Sequence, residues 1–429
     1  MDRPRRAALD VLAAVRTDDA YANLVLPQVL RKHRLEGRDA GLATELASGT
    51  IRMQGLYDPV IEACLTRPKL QPGVRDVLRL GAHQLLSMRV PDHAAISTSV
   101  DLVRATVGQG PAGLVNAVLR TISRRSLDDW VSEVAPDRAA DLHGHLAVAQ
   151  SHPRWVVDAL AEALGSDDEL EALLAADNAA PQVTLVARPG LATVEELEAA
   201  GASRTGRSPY GAVLAGGDPA GVAAVTEGRA GVQDEGSQLV ALAMSEAPLT
   251  GRDERWLDLC AGPGGKAALL AAIAAQRGAT LVANERQPHR AALVASALRA
   301  VPTGTAHVLS GDGMRPAWVP ATFDRAVVDA PCSGLGALRR RPESRWRRTP
   351  EDLEPLVALQ QVLLDVALES VRPGGVVVYA TCSPVLAETA AVVDAVVGRR
   401  DDTDEVDRFQ LWPHRDGTDA MFAATLRRR

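Results

Sequence analysis

Two cysteines stand where a thiolate could act as a nucleophile: Cys332 in Asp329-Ala-Pro-Cys-Ser-Gly334 and Cys382 in Tyr379-Ala-Thr-Cys-Ser383. Each follows an apolar run that reads as a strand. A lone cysteine in that position is ordinarily a small buried hydrophobe, but two after adjacent strand ends, beside the carboxylate of Asp329, point to covalent chemistry. Metal chemistry is a poor alternative. The only other cysteines are Cys64 and Cys260, no C-x-x-C pair occurs, and no histidines lie at metal-ligand spacing.

A second constellation is Asp258-Leu-Cys-Ala-Gly-Pro-Gly-Gly-Lys266, at the junction of an apolar run and a helical pattern. Glycines at a strand's C-terminal edge let backbone approach a ligand, and the following helix N-terminus offers unpaired N–H groups. The spacing matches neither the phosphate-cradling G-x-x-x-x-G-K-[ST] nor G-x-G-x-x-G, so ATP and NAD are disfavoured and another nucleotide-like cofactor is expected. Glu285 closes the next strand, where an acid can accept hydrogen bonds from ribose hydroxyls. Asp312, in Gly311-Asp-Gly313, places a further carboxylate after the third strand. Acids often cap helices instead, but three at consecutive strand ends are harder to assign to capping.

Holding these residues together calls for a parallel sheet. From residue 251 the pattern alternates, with strands predicted at 255–259, 280–283, 306–309, 326–328 and 375–380 and helices at 266–275, 288–299 and 353–371, a doubly wound α/β domain. Residues 1–126 show apolar residues at three-and-four spacing broken by Gly and Pro, which predicts an all-α bundle; Asn116 is read as a capping or interhelical hydrogen bond. Between them, 127–250 predicts a small α+β module: helices at 154–164, 168–176 and 194–200, extended runs at 182–188 and 212–215, and a capped helix start in Val232-Gln-Asp-Glu-Gly-Ser-Gln-Leu239. The net charge of -7 hides three distinct segments, +6 over 1–126, -14 over 127–250 and +1 over 251–429. Lysine occurs only at 32, 69 and 266. Arg339, Arg340, Arg341, Arg345, Arg347 and Arg348, interrupted by Trp346, form the densest basic run. Beside an RNA-modifying site that run reads as a phosphate grip with a stacking tryptophan, and otherwise as a solvated face. No stretch reaches the ~18–20 apolar residues of a membrane helix, and four free thiols without an export signal point to the cytoplasm.

The residues at 258–266, Glu285, Asp312, 329–333 and 381–383 resemble, in order and spacing, the motifs of the RNA 5-methylcytosine methyltransferases that use S-adenosyl-L-methionine, the RsmB/NOP family. The resemblance continues through 232–237, and residues 1–126, including Gly113-Leu-Val-Asn-Ala-Val-Leu-Arg120, are similar to the antitermination factor NusB. It implies a NusB-like helical RNA-binding domain at 1–126, a linker and small RNA-recognition module at 127–250, and a Rossmann-like class I methyltransferase domain at 251–429. It also implies a cofactor held by Cys260, Ala261, Gly262, Pro263, Gly264, Gly265, Lys266, Glu285, Asp312 and Asp329. Cys382 corresponds to the family's nucleophile for carbon 6 of cytosine, Asp329 to the group that hydrogen-bonds or protonates N3, and Cys332 to the cysteine that assists release. DNA cytosine methyltransferases use the Pro-Cys cysteine as nucleophile, so the reverse assignment stays open. Gly262 stands where the family usually has Ala, Ala387 and Thr389 flank Glu388 where a Pro-Glu-Glu-Asn run is usual, and Asp419-Ala-Met-Phe422 replaces Asp-Gly-Phe-Phe.

The activity implied is methylation of one cytosine in 16S rRNA, free or partly assembled, by a cytoplasmic monomer with no membrane partner. The alternatives are a tRNA or 23S rRNA substrate, a nitrogen methyltransferase that needs no cysteine, or a NusB-like RNA-binding factor.

Overall fold

Three-and-four apolar spacing gives helices Arg3–Thr17, Ala22–His33, Gly37–Ala63, Pro72–Leu86, Asp92–Thr106 and Ala112–Ile122, with Ala8, Val11, Leu46, Leu78 and Leu119 on their buried faces. The computed structural model describes residues 2–18, 20–66 and 69–429. Its contacts divide the chain into two units, Met1–Ala179 with Leu338–Arg348, and Ala180–Ala337 with Thr349–Arg429. Neither border falls at the expected 126 or 250. Helices continue past Ser126 as Leu127–Val134, Leu142–Ala149, Arg154–Leu164 and Leu170–Asn178. Trp130 joins the first core and donates its indole N–H to the Ile122 carbonyl at 3.0 Å. Asn116 is half-buried and accepts from Arg120 four residues on, at 3.3 Å, a bond within its own helix.

The arginine run is not one solvated face: Arg341 is exposed, Arg339, Arg340, Arg347 and Arg348 are half-buried, and Arg345 is buried. Arg345 is fully buried, with hydrogen bonds to the Ser151 carbonyl at 3.0 Å and Asn178 Oδ1 at 2.8 Å. Trp346 packs against the helical core and donates to the Ile51 carbonyl at 2.8 Å. Arg347 reaches the Ala20 carbonyl and lies over the Tyr21 ring. Arg345, fully buried, cannot grip a phosphate, and that part of the expectation is corrected; Trp346 and Arg347 are half-buried and hold on to the helical unit. Residues 338–348 complete the helical unit.

The second unit holds two sheets. A small antiparallel one, in the order β2-β3-β1-β4, is built from β1 (Val183–Ala187), β2 (Ala202–Arg204), β3 (Gly211–Leu214) and β4 (Ala230–Val232). The large one contains β5 (Arg255–Asp258), β6 (Thr280–Glu285), β7 (Ala306–Ser310), β8 (Phe323–Asp329), β9 (Val371–Thr381), β10 (Thr403–Gln410) and β11 (Phe422–Arg428), in the order β10-β11-β9-β8-β5-β6-β7. From β9 to β7 the pairing is parallel; β11 runs antiparallel to β9, and β10 to β11. Helices Gly265–Arg277 and Leu353–Ser370 contribute Leu269, Leu270, Leu364 and Leu368 to separate hydrophobic clusters with the sheet. The order reverses between β5 and β8, the point outside whose strand C-termini sheets of this kind bind their ligands.

Candidate active site

β5, β6 and β8 end in Asp258, Glu285 and Asp329. Asp258 is 1% exposed, and no side chain among the described residues donates to its carboxylate, with the Cys260 backbone N–H alone acting on it as a donor. Burial, reinforced by the Asp329 charge and opposed by Lys266, pushes its carboxyl up to about 7. The chain then turns over Cys260 and the glycines into helix Gly265–Arg277. A Cβ on Gly262 would lie 2.1 Å from Glu285 Oε2, and Gly264 has φ +110° with Val294 Cα only 2.9 Å from where its Cβ would stand. Gly264 therefore requires glycine, for conformation and for space, whereas a Cβ at 262 would ask only the end of the Glu285 side chain to shift. Burial raises the Cys260 thiol and keeps it protonated.

Glu285 accepts from the Gly262 N–H at 3.1 Å and the Gln287 N–H at 2.9 Å. Asn284, beside it, donates to the Leu259 carbonyl at 3.0 Å and the Gly311 carbonyl at 3.1 Å, tying the turns after β5 and β7 together. Asp312 is half-buried and accepts from the Met314 N–H at 3.1 Å. Lys266 does not stand in solvent: its Nζ lies 2.8 Å from Asp329 Oδ2 and its side chain is 10% exposed. Burial opposes its charge, but Asp329, Cys382 and Asp258 around it raise its pKa overall.

The two cysteines meet. Cys332 Sγ and Cys382 Sγ are 3.5 Å apart. The hydrogen bond to Cys382, with burial, holds the Cys332 thiol well above its ordinary pKa. Below them is a carboxylate that sequence motifs alone left without a role. Glu388 is fully buried, and its Oε1 accepts from Ser333 N at 2.7 Å and Gln360 Nε2 at 3.1 Å, its Oε2 from Ser333 Oγ at 2.5 Å and Ser383 Oγ at 2.7 Å. Gln360 also donates to the Pro331 carbonyl at 2.9 Å. The signal for this network was the serine directly following each cysteine. Every sequence-designated residue except Asp312 is thus linked to another by a bond, a turn or a charge.

Family models match residues 249–427 as 16S rRNA methyltransferase RsmB/F and residues 2–124 as the NusB family. A Mycobacterium tuberculosis protein carrying a methyltransferase name is 51% identical over 100% of this chain and 97% of its own length. The ribosomal RNA small subunit methyltransferase B of Pseudomonas putida is 33% identical, covering 94% of this chain and 91% of that protein. Among solved structures, PH0851 superposes with a TM-score of 0.81 at 21% identity, over 100% of this chain and 99% of that one. NSun6 from Pyrococcus horikoshii, solved with SFG, gives 0.55 at 17% over 64% and 98%. The last two likenesses speak for the fold. Identity over nearly full length, with the methyltransferase match on the unit that carries the paired cysteines, shows that the chain belongs to the 16S rRNA methyltransferase RsmB/F family, rRNA methyltransferases whose methyl donor is S-adenosylmethionine, and carries a NusB-family domain.

Proposed function

We propose that this protein methylates carbon 5 of a cytosine in 16S rRNA through a covalent adduct between Cys382 and carbon 6. The observation that carries the reading is the pair of sulfurs 3.5 Å apart next to the Lys266–Asp329 ion pair. Methylation of a ring nitrogen needs no thiol at all, whereas carbon 5 is too weak a nucleophile until a thiolate adds to carbon 6. The small-subunit methyltransferase names of the relatives support 16S rRNA over tRNA or 23S rRNA.

S-adenosylmethionine supplies an electrophilic methyl on a sulfonium. The residues fit it: the buried carboxylate of Asp258, which no side chain donates to among the described residues, suits a cationic ligand, Gly264 lets the turn take a conformation closed to other residues, and Glu285 offers acceptor oxygens to ribose hydroxyls. Cys260, Ala261, Pro263, Gly264, Gly265 and Lys266 form the turn and helix start around it, and Asp312 contributes from the turn after β7.

In the reaction the Cys382 sulfur forms a bond to carbon 6 and the C5–C6 π pair moves to carbon 5. The proton that the Cys382 thiol gives up passes by way of Lys266 to Asp329, which in its neutral form hydrogen-bonds or protonates N3 and stabilises the electron-rich ring. Lys266, near enough for a Cys382 thiolate to raise its own pKa, favours that thiolate in return. Carbon 5 takes the methyl group that S-adenosylmethionine, held by the turn at 260–266 and by Glu285, would supply, and the donor would be left as the neutral thioether. The carbon 5 proton is then removed, its bonding pair re-forms the C5=C6 bond, and the C6–S bond breaks to return the thiolate; Cys332 assists this release. The target base is flipped from its stack to reach the thiol. Residues 1–126 serve RNA binding, 127–250 recognition and 251–429 catalysis.

Bisulfite sequencing of 16S rRNA from a deletion strain tests the assignment. One cytosine that loses protection and regains it on complementation supports it, and unchanged 16S protection with a lost site in tRNA or 23S rRNA contradicts the substrate.

A further inference from the structure

We propose that Glu388 is a positioning residue: one buried carboxylate that locks the two cysteine loops together and sets where both sulfurs stand. The proposal rests on the covalent reading of Cys382 and Cys332 above.

The two loops come from different strands, β8 and β9, and the ladder between those strands extends as far as the bond from Ala330 N–H to the Ala380 carbonyl at 2.9 Å. Beyond that rung the backbone supplies one more bond, from Gly336 N–H to the Cys382 carbonyl at 2.9 Å, and the two serine hydroxyls meet at 3.0 Å; the rest of the hold on both loops converges on Glu388. In both, the residue after the cysteine is a serine pointing inward: Ser333 is 2% exposed and Ser383 fully buried, while Cys332 and Cys382 are half-buried. Neighbouring side chains of non-helical backbone tend to opposite sides, so drawing each serine down onto Glu388 turns its cysteine up into the crevice. All four donors to the carboxylate are neutral, and they come from three elements: Ser333 after β8, Ser383 after β9, and Gln360 on helix Leu353–Ser370. Glu388 itself is fixed by its own backbone, whose carbonyl accepts the Tyr379 hydroxyl at 2.7 Å. A carboxylate that held a cation or simply capped a helix would not draw on both cysteine loops.

The same geometry gives each serine a separate kinetic meaning. Loss of the Ser383 hydroxyl removes the bond from the attacking sulfur's loop to Glu388, while loss of the Ser333 hydroxyl loosens the releasing sulfur's loop, which keeps its backbone N–H on Oε1. A misplacement of about 1 Å costs on the order of 100-fold in rate. Glutamine at 388 keeps the arrangement, because its oxygen still accepts from Ser333 N–H and Gln360, while its amide donates to two hydroxyls that can rotate to accept.

The test uses the full chain with S-adenosylmethionine and substrate RNA, ordinary or carrying 5-fluorocytosine at the target. Ser383→Ala should slow formation of the denaturant-resistant protein–RNA adduct at least tenfold. Ser333→Ala should form it within about threefold of the normal rate yet accumulate it on ordinary RNA. Glu388→Ala should lower kcat about 100-fold with the KM for S-adenosylmethionine little changed, and Glu388→Gln should restore most of it. If Glu388→Ala fails to fold, the two serine variants, checked for an unchanged thermal midpoint, decide alone. Serine variants with the same adduct kinetics as the unmutated enzyme overturn the clamp. Should the unmutated enzyme form no adduct, the covalent reading falls instead, and the clamp is judged on kcat, where equal loss in the Ala and Gln variants overturns it.

Discussion

Asp258 is the residue with the plainest physical signature, a fully buried carboxylate with no side-chain hydrogen-bond donor among the described residues. Its raised pKa makes a signed prediction. Below about pH 4 the group is protonated in folded and unfolded chains alike; between about 4 and 7 the unfolded chain ionises first, so stability falls as pH rises and levels off above the folded value. Denaturation midpoints across that window should show a slope in the native protein that Asp258→Asn flattens, and parallel curves would remove Asp258 from the account. A cationic cofactor works the other way, favouring the ionised form, so S-adenosylmethionine affinity should rise with pH through about 7. At Glu285, replacement by Ala should weaken that affinity by about 1.5–3 kcal/mol, the size of a hydrogen bond to a charged group, as read by calorimetry. Unchanged affinity would place the ribose elsewhere.

At the scale of elements, residues 338–348 are the clearest case of structure overruling pattern. A run of six arginines around one tryptophan carries no periodicity to say which side chains are buried, and charge composition favours solvent. What decides is tertiary: the Ser151 and Asp177 carbonyls and the Asn178 amide oxygen converge on Arg345. Arg345→Ala should therefore destabilise the helical unit by about 3 kcal/mol or more, the cost of breaking a buried charged network, in a urea titration; a change within the error of the midpoint would return the residue to the surface. Gly55→Ala tests the same packing, since its Cβ would stand 2.3 Å from Trp346 Cη2. The parallel strands were legible because each is a short apolar run bounded by chemistry-bearing turns; predicted 255–259 and 280–283 became Arg255–Asp258 and Thr280–Glu285. β10 was not legible: Thr-Asp-Glu-Val-Asp-Arg-Phe-Gln is an edge strand with one side in water, and it pairs through backbone with β11 rather than through an apolar face. The cofactor turn and both cysteines were legible as motifs. Glu388 was not, since what marks it is convergence of hydroxyls from loops 50 residues apart.

For the whole molecule, the divided charge of the chain, +6, -14 and +1 over its three segments, does not coincide with its compact units, because the acidic segment is shared between them at Ala179 and Ala180. One consequence is testable by dissection. A fragment ending at residue 179 lacks Arg345 and Trp346 and should melt well below the same fragment supplied with a 338–348 peptide; equal melting would show that the segment adds nothing to that unit. Among the described residues no helix is long and apolar enough to cross a membrane. The central claim is that the two sulfurs have different tasks, one attacking and one releasing. Its most direct test is denaturing gel electrophoresis of the full chain after turnover on substrate RNA with S-adenosylmethionine. Cys382→Ala should give neither methylation nor a protein–RNA band, and Cys332→Ala should accumulate the band. A band from Cys382→Ala and none from Cys332→Ala would exchange the two roles, and full methylation by both variants would contradict covalent catalysis altogether.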